Sequence, residues 1–170
     1  AVLFEDELYL FNRGMDYEAD YENFNQHLAA ARRAVKINER IKYLTSAVKL
    51  YKGYLLPELS DHWVTAERER YHQMAMDAMM QLAELQLQQG ELDQVITTSQ
   101  LLLNFDPTYE PMVCLVMRAQ SAKGNTSGVV QAYDALKQIL REELDARPSP
   151  GTVTLFHNLT RERRTVNPKV

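Results

Sequence analysis

The chain has 170 residues, of which 45% are apolar and 25% are charged, a length that suits one well-buried core rather than two. Its net charge of −4 at pH 7 supplies no overall attraction to the phosphates of nucleic acids. The single cysteine, Cys114, excludes an intramolecular disulfide. No secretory signal is visible, and no apolar run approaches the roughly 20 residues that span a bilayer, so we expect a cytoplasmic protein without a membrane segment.

The N-terminal stretch does not follow a helical pattern. β-branched and aromatic residues lie on both sides of an acidic tripeptide, residues 5–7, and predict two short strands around a tight turn. An extended connector follows, to about Ala19. Ala1 does not resemble a natural start, so we expect a missing N-terminal segment. We assign residues 1–15 to this hairpin and linker, residues 16–164 to one helical domain and residues 165–170 to a disordered tail.

Two helices follow the connector. The first is predicted from Asp20 to about Lys36, and Asn38 is expected to break it. The second is expected to end near Gly53. Both predicted stripes consist of residues at helical spacing: Phe24, Leu28, Ala31 and Val35 in the first, then Ile41, Leu44, Ala47 or Val48, and Tyr51 in the second.

An apolar loop then separates this pair from the next helix. Pro57 cannot continue a helix, and Ser60 or Asp61 can cap the helix that follows. The sole tryptophan, Trp63, lies in the first turn of that helix. We expect it to fold the loop back onto the helices, with an exposed binding anchor as the alternative.

Residues 75–107 form the clearest helical hairpin, with two apolar-faced helices on either side of Gly90. Thirty-four residues later the pattern returns, with Gly124 in the place of Gly90. This is the period of a tetratricopeptide array, in which each hairpin buries its apolar stripe only against its neighbours. The two stripes of the hairpin are Met79, Leu82, Ala83, Leu85 and Gln86, then Leu92, Val95, Ile96, Ser99, Leu102 and Leu103.

The third repeat begins after Pro107. Thr108 or Asp106 is expected to cap a fifth helix, with Pro111 in its first turn, and a sixth helix is expected to reach about Asp145. The tripeptide 148–150 supplies a stop, a cap and a first-turn proline for a seventh helix. The stripes are Met112, Leu115, Val116 and Ala119, then Val129, Tyr133, Leu136, Leu140 and Leu144, then Val153, Phe156 and Leu159.

The sequence therefore predicts an all-α fold with a short N-terminal β-hairpin. We expect a tetratricopeptide-like, right-handed stack of about seven helices, made of three helical hairpins and a capping helix. The last helix would close the exposed apolar end of the stack, as terminal repeats must.

No arrangement of reactive residues indicates an enzyme. The four histidines form no i, i+4 metal pair, and the sequence contains no HExxH motif, no phosphate-binding glycine loop and no GxSxG elbow. Cys114 lies in a predicted helix with no histidine at a suitable spacing, so we interpret it as a packing thiol. We predict no catalytic residue, no metal and no cofactor.

A partner would bind in the concave groove of such an array, which is lined by the first helix of each repeat. Positions opposite the buried stripes would point into this groove, and their mixed charge suits a peptide or a protein helix better than a small apolar ligand. The alternative is that they form solvated faces of a scaffold. The predicted groove residues are Arg32, Lys36, Asp77, Met80, Glu84, Gln88 and Arg118.

Short motifs follow one another along residues 16–160. In chain order they are Asp20-x-x-x-Phe24, Leu50-Tyr51-x-Gly53, Leu55-Leu56-Pro57, Trp63 followed by Arg68 and Arg70, Gly90, Asp106-Pro107-x-x-Glu110, Gly124, Ala132-Tyr133, Leu140-x-Glu142-Glu143-Leu144 and Pro148-Ser149-Pro150. Their order and spacing resemble the bacterial transcriptional activator domain, the tetratricopeptide-like module of SARP-type and AfsR- or EmbR-like regulators.

The resemblance implies a regulatory function. In that family a winged-helix DNA-binding domain precedes this module, and residues 1–12 resemble the end of its last hairpin. It implies transcriptional control through contacts with RNA polymerase or with other domains of the same regulator, while DNA would be bound only by the missing upstream domain. The alternative is a tetratricopeptide adaptor, or a sensor domain of a larger signalling ATPase-type regulator that binds a peptide or metabolite. A homodimer stays open, because an unpaired strand edge invites pairing.

Overall fold

The computed structural model describes residues 2–5, 8–11, 20–53 and 62–161 of the chain. The chain divides into two compact units, residues 1–53 and residues 54–170. Seven α-helices lie in these described ranges and make the fold all-α, as the sequence predicts. The predictions for the connector, for the loop before the third helix, for the side chain of Trp63 and for the C-terminal tail lie outside the described residues.

The first unit contains two strands and a helical hairpin. Strands β1 (Val2–Glu5) and β2 (Leu8–Phe11) pair antiparallel, with Val2 opposite Phe11. Helices α1 (Asp20–Arg33) and α2 (Ile37–Leu50) pack against each other. The side chains that the first unit buries on these helices and just after them are Phe24, Leu28, Ala31, Leu44, Ala47, Val48 and Tyr51.

The break between α1 and α2 differs from the sequence prediction. Helix α1 ends at Arg33, and Asn38 lies in the first turn of α2 rather than in the break. Val35, which fits the spacing of the α1 stripe, is 95% exposed. The reason is that the chain leaves the helix before Val35, so the 3.6-residue periodicity no longer determines its direction. Helix α2 also ends three residues before Gly53.

The second unit consists of five helices, and its arrangement confirms two hairpins followed by a capping helix. Helix α3 packs against α4 and α5 against α6, while α4 also contacts α5. The last helix, α7, packs against both α5 and α6. The helices are α3 (His62–Gln88), α4 (Leu92–Leu103), α5 (Glu110–Ala122), α6 (Thr126–Leu144) and α7 (Pro150–Arg161).

The two hairpins of the second unit turn in the same way. Gly90 has φ +73° and Gly124 has φ +84°, a left-handed conformation that side-chain-bearing residues rarely adopt. In both turns the N–H of the residue after the glycine donates to the carbonyl five residues earlier, at 2.9 Å. This is the Schellman arrangement of a helix C-terminus. The glycines of the 34-residue repeat are therefore backbone requirements of the turn.

Packing in the second unit follows the predicted stripes in part: Leu92, Ile96, Leu103, Val116 and Tyr133 are half-buried, and the C-terminal end departs further. Leu144 is 59% exposed, because α6 has 19 residues against the 13 of α5 and its last turn extends beyond that partner. On α7 the buried residue is Thr152, while the predicted apolar stripe is only half-buried. The core residues 95, 102, 112, 129, 136 and 140 are all buried as expected.

Helix α5 is not capped as predicted. The residue before it, Tyr109, makes no side-chain cap hydrogen bond. Asp106 instead accepts from the N–H of Thr108 at 2.9 Å and from its hydroxyl at 2.7 Å. These two bonds stabilise the turn between α4 and α5. Asp106 therefore bonds within this turn instead of capping α5, as short polar side chains often do. Pro111 does lie in the first turn of α5, as the sequence indicates.

Candidate protein-binding surfaces

Four of the predicted groove residues lie on one face of α3. Asp77, Glu84 and Gln88 are exposed, and Met80 is half-buried between them. Their spacing of three, four and four residues places them along one line of the helix. The opposite face supplies the buried stripe, which comprises Ala75, Ala78, Met79, Leu82, Ala83, Leu85 and Gln86. We call the four exposed-side residues the α3 face.

The α3 face combines charge with a central apolar side chain. Asp77 and Glu84 contribute two carboxylates, and Asp77 accepts a hydrogen bond from the amide of Gln73 at 2.9 Å. Met80 is flexible and polarizable, so it can adapt to the shape of a partner. Such a combination is chemically able to bind a protein surface.

The other predicted groove residues lie on different elements. Arg118 is exposed on α5, which contacts α3. Arg32 is exposed in the last turn of α1, and Lys36 directly precedes α2 rather than ending α1. Lys36 lies 3.9 Å from the carboxylate of Glu39. The structure thus brings together the four residues of the α3 face, and a common groove with the two residues of the first unit stays a prediction.

A polar cluster joins the N-terminal ends of α5 and α7. The carboxylate of Glu110 accepts from the N–H of Ser149 at 3.0 and 3.1 Å, and from the Ser149 hydroxyl at 2.9 Å. The hydroxyl of Thr152 also donates to it, at 2.6 Å. Ser149 immediately precedes α7, so the negative charge of Glu110 lies at the positive end of that helix. We call this cluster the α5–α7 joint.

The electrostatics of the joint favour an ionised Glu110. Burial by itself would raise the pKa of this carboxyl. The hydrogen bonds from Thr152 and from the N–H and hydroxyl of Ser149 outweigh that effect and hold the pKa of Glu110 below its ordinary value of 4.5. The carboxylate is therefore charged at neutral pH, and the hydrogen bonds that it accepts connect α7 to α5.

Cys114 completes this joint as a weak donor. Its thiol lies 3.4 Å from the hydroxyl oxygen of Thr152. Because the Thr152 hydroxyl gives its proton to Glu110, the thiol is the group that can donate in this contact. The half-buried cysteine thus packs between α5 and α7. Among the described residues, no group of three histidine, cysteine, aspartate or glutamate side chains could hold a metal ion.

Buried polar side chains join neighbouring helices in the second unit. Gln86 on α3 accepts from the hydroxyl of Thr98 on α4 at 2.8 Å, and both residues are 4% exposed. Ser99 donates to the carbonyl of Val95 at 2.7 Å and contacts the sulfur of Met112 on α5 at 3.1 Å. These pairings explain how polar residues can occupy positions of an otherwise apolar stripe.

The sequence profile described as the bacterial transcriptional activator domain matches residues 19–160. The chain belongs to the bacterial transcriptional activator domain family. None of the helices in the described part of this domain is long and apolar enough to cross a membrane.

The relatives of this bacterial transcriptional activator domain are regulators. It is 28% identical over 128 residues to the transcriptional regulatory protein MoaR1 of Mycobacterium tuberculosis, and to the same degree to MoaR1 of Mycobacterium bovis. The match covers 74% of this chain and 40% of each relative, so the chain spans about two-fifths of their length. These findings confirm the resemblance drawn from the sequence motifs.

A solved structure shares the fold. EmbR of Mycobacterium tuberculosis, determined in complex with a low-affinity phosphopeptide, superposes with a TM-score of 0.69 at 20% identity. The superposition covers 99% of this chain and 44% of the EmbR chain. At this level of identity the likeness establishes the architecture of the bacterial transcriptional activator domain.

The structure gives a physical reason for two of the motifs that indicated this family. Residues 106–110 carry Glu110, and residues 148–150 carry Ser149, and these two side chains meet in the α5–α7 joint. The pair is 39 residues apart in the sequence, so spacing alone does not predict the contact. What the sequence does contain is the helix-start pattern Pro-Ser-Pro, in which Ser149 exposes an N–H that needs an acceptor.

Proposed function

We propose that this domain is a non-enzymatic protein-binding module of a bacterial transcriptional regulator, and that it contacts RNA polymerase or other domains of its own regulator in the cytoplasm. Membership of the bacterial transcriptional activator domain family supports the regulatory role. The observation that carries the binding role is the α3 face, where two carboxylates and an amide lie along the same line of the helix as a half-buried methionine. Partner surfaces typically combine such an apolar centre with a polar rim.

DNA recognition belongs, in this proposal, to a winged-helix domain that precedes residues 16–164, with residues 1–15 as the end of its last hairpin and the linker. The net charge of −4 supports the assignment of DNA binding to another domain, because the phosphate contacts that dominate DNA affinity require clustered positive charge. We expect no sequence-selective DNA binding by this chain alone. A salt-dependent gel shift that distinguishes one operator from a scrambled duplex would contradict this part of the proposal.

Site-specific photo-crosslinking tests the α3 face directly. A photoreactive amino acid replaces Asp77, Glu84 or Gln88 in turn, and the purified domain is irradiated with RNA polymerase holoenzyme or with the remaining part of the regulator. Matched controls carry the same group at Gln94 or Gln100, which are exposed on α4. We expect crosslinks to a polymerase subunit or a regulator domain from α3 and none from α4. Equal labelling from both helices, or none from α3, would refute the proposal.

One observation favours a second candidate, a sensor or adaptor domain of a larger signalling ATPase-type regulator. A cavity of about 420 Å³ lies between α4, α5 and α6, and its size falls in the range of small-ligand pockets. Its apolar lining includes Ile96, Leu103, Val113, Val116, Leu136 and Ile139. The gene sequence upstream of this domain discriminates the two candidates, because a winged helix supports the first and a nucleotide-binding domain the second.

A further inference from the structure

A basic cleft lies at the C-terminal end of the second unit, away from the α3 face. The second half of α6, the connector to α7 and the start of α7 enclose about 620 Å³ of space. The cleft has charged side chains along one wall and apolar ones along its floor. The residues used below are Tyr133, Lys137, Arg141, Arg147, Pro148 and Val153.

Three cations converge on this cleft. Lys137 and Arg141 are one helical turn apart on α6, so both side chains extend from the same face, and Arg147 approaches from the connector. All three are exposed, and none forms an ion pair within 4.0 Å among the residues that the structure describes. Asp145 is the one carboxylate of the lining. Within its own lining, the cleft therefore has more positive than negative side chains, a charge that an anionic group would neutralise.

The floor of the cleft is apolar and held in place. The ring of Tyr133 stacks on Phe156 of α7, with ring centroids 4.1 Å apart and planes inclined by 11°. Pro148 is buried and Val153 is half-buried beside it. A fixed aromatic and aliphatic floor under exposed cations can take an apolar side chain together with an acidic one.

The surroundings of the cleft favour a peptide over a nucleic acid. Next to the cleft, a shallow pocket on α6 that Lys137 and Arg141 also line carries the exposed carboxylates of Asp134 and Glu142. Glu142 is fixed there by a hydrogen bond from Gln138 at 2.9 Å. A duplex spreads its phosphate charge over a wide surface, so it would place phosphates against this acidic border as well as on the cations, whereas a short peptide can confine its charges to the cleft. A peptide can place discrete carboxylates on the cations, and arginine pairs with a carboxylate through two parallel hydrogen bonds.

We propose that this basic cleft binds an acidic peptide segment of a partner protein. Lys137, Arg141 and Arg147 hold its carboxylates, and an apolar residue of the same segment packs against Tyr133 and Val153. The site is separate from the α3 face, so it adds a second contact surface to the domain. Its test does not depend on the outcome of the crosslinking from α3.

Fluorescence anisotropy with the whole chain tests the proposal. The probe is a fluorescein-labelled octapeptide of six glutamates and two phenylalanines, and the comparison peptide carries glutamine in place of each glutamate. We expect the acidic peptide to bind and the glutamine peptide not to bind. In the variant Lys137→Gln/Arg141→Gln/Arg147→Gln we expect the affinity to fall by about tenfold or more. All three positions are exposed, so circular dichroism and the melting temperature should be unchanged.

A matched control separates the cleft from general charge attraction. The variant Lys42→Gln/Lys49→Gln/Lys52→Gln also removes three exposed positive charges, from α2 and the residues after it. It should change the affinity by less than about twofold, a general charge effect rather than loss of a site. An equal loss in both variants, no binding of the acidic peptide, or tighter binding of a DNA duplex than of the peptide would each overturn the proposal.

A charge exchange keeps the test decisive if the triple variant is poorly folded. In Lys137→Glu/Arg141→Glu the acidic peptide should no longer bind, while a peptide of six lysines and two phenylalanines should now bind. Restored binding with the opposite charge supports a direct contact in the cleft. Failure of the lysine peptide to bind this folded variant would overturn the proposal.

Discussion

Replacing Glu110 tests the joint that holds α7 on α5. Its carboxylate accepts from the N–H and hydroxyl of Ser149 and from the hydroxyl of Thr152. In Glu110→Gln the amide nitrogen cannot accept these bonds, and in Glu110→Ala all of them are lost. The buried Thr152 hydroxyl keeps alternative contacts to Ser149 at 3.1 Å and to Cys114 at 3.4 Å, which limits the cost.

The size of the effect follows from these contacts. Buried hydrogen bonds to a charged group contribute about 1.5–3 kcal/mol each, and an anion at a helix N-terminus adds about 0.3–1 kcal/mol. Glu110 is only half-buried, so solvent screens the charge and can hydrate the Ser149 N–H after substitution. We expect Glu110→Ala to lower the free energy of unfolding by about 2 kcal/mol and Glu110→Gln by about 1 kcal/mol.

Acidification should remove the same stabilisation in the wild type. The folded-state pKa of Glu110 lies below its ordinary value of 4.5. The ionised carboxylate therefore stabilises the fold above that pH, and this contribution is lost as the pH falls through the folded-state pKa. The difference in unfolding free energy between wild type and Glu110→Gln should be constant from pH 7 to about pH 5 and shrink below the ordinary pKa.

Urea unfolding at several pH values, combined with hydrogen exchange, measures both effects. Glu110→Gln, Ser149→Ala and the double variant form a thermodynamic cycle. Glu142→Gln serves as a control, because that exposed carboxylate accepts a hydrogen bond from Gln138 within its own helix. Amide exchange should accelerate in α7 first. A coupling energy below about 0.3 kcal/mol, or a pH-independent difference between wild type and Glu110→Gln, would refute the role assigned to the joint.

Other substitutions test the core and the observed end of α1. Thr98→Val should lower the free energy of unfolding by about 1–3 kcal/mol because it leaves the buried Gln86 amide without its partner, and additional replacement of Gln86 by leucine should recover part of that loss in urea titrations. Leu102→Ala, at a fully buried site, should cost roughly 2–5 kcal/mol by the same assay, and a cost below 1 kcal/mol would show that the site collapses around the change. Val35→Lys should change the free energy of unfolding by no more than about 0.5 kcal/mol, so the melting temperature should change little. A large loss of stability would show that Val35 is part of the core.

Several features of this fold follow from local rules and could be predicted from the sequence. The apolar stripes of α3 and α4 have helical spacing, and Gly90 and Gly124 mark turns that require a left-handed backbone. The stripe rule was wrong at Val35, which lies beyond the end of α1, and at Leu144, where the last turn of α6 extends beyond its packing partner. Periodicity states which side chains would share a face, but it contains no information on where the helix or its packing partner ends.

For the candidate surfaces, too, some features could be predicted from the sequence and others could not. The exposure of Asp77, Glu84 and Gln88 could be predicted, because it is the complement of a stripe on the same helix. The convergence of Lys137, Arg141 and Arg147 on one cleft could not, because Arg147 reaches it from a connector outside the helical pattern. Predicting that meeting requires the path of the chain between α6 and α7.

The sequence by itself determined the helices, the 34-residue repeat and the family, since each depends on residue types at short, regular spacing. Only the tertiary structure decided that Glu110 meets Ser149 across 39 residues. It also decided that Thr152, rather than an apolar residue of the predicted stripe, is buried on α7. The physical reason is that a hydrogen bond between two helices depends on how they pack, and packing depends on the whole core rather than on either segment.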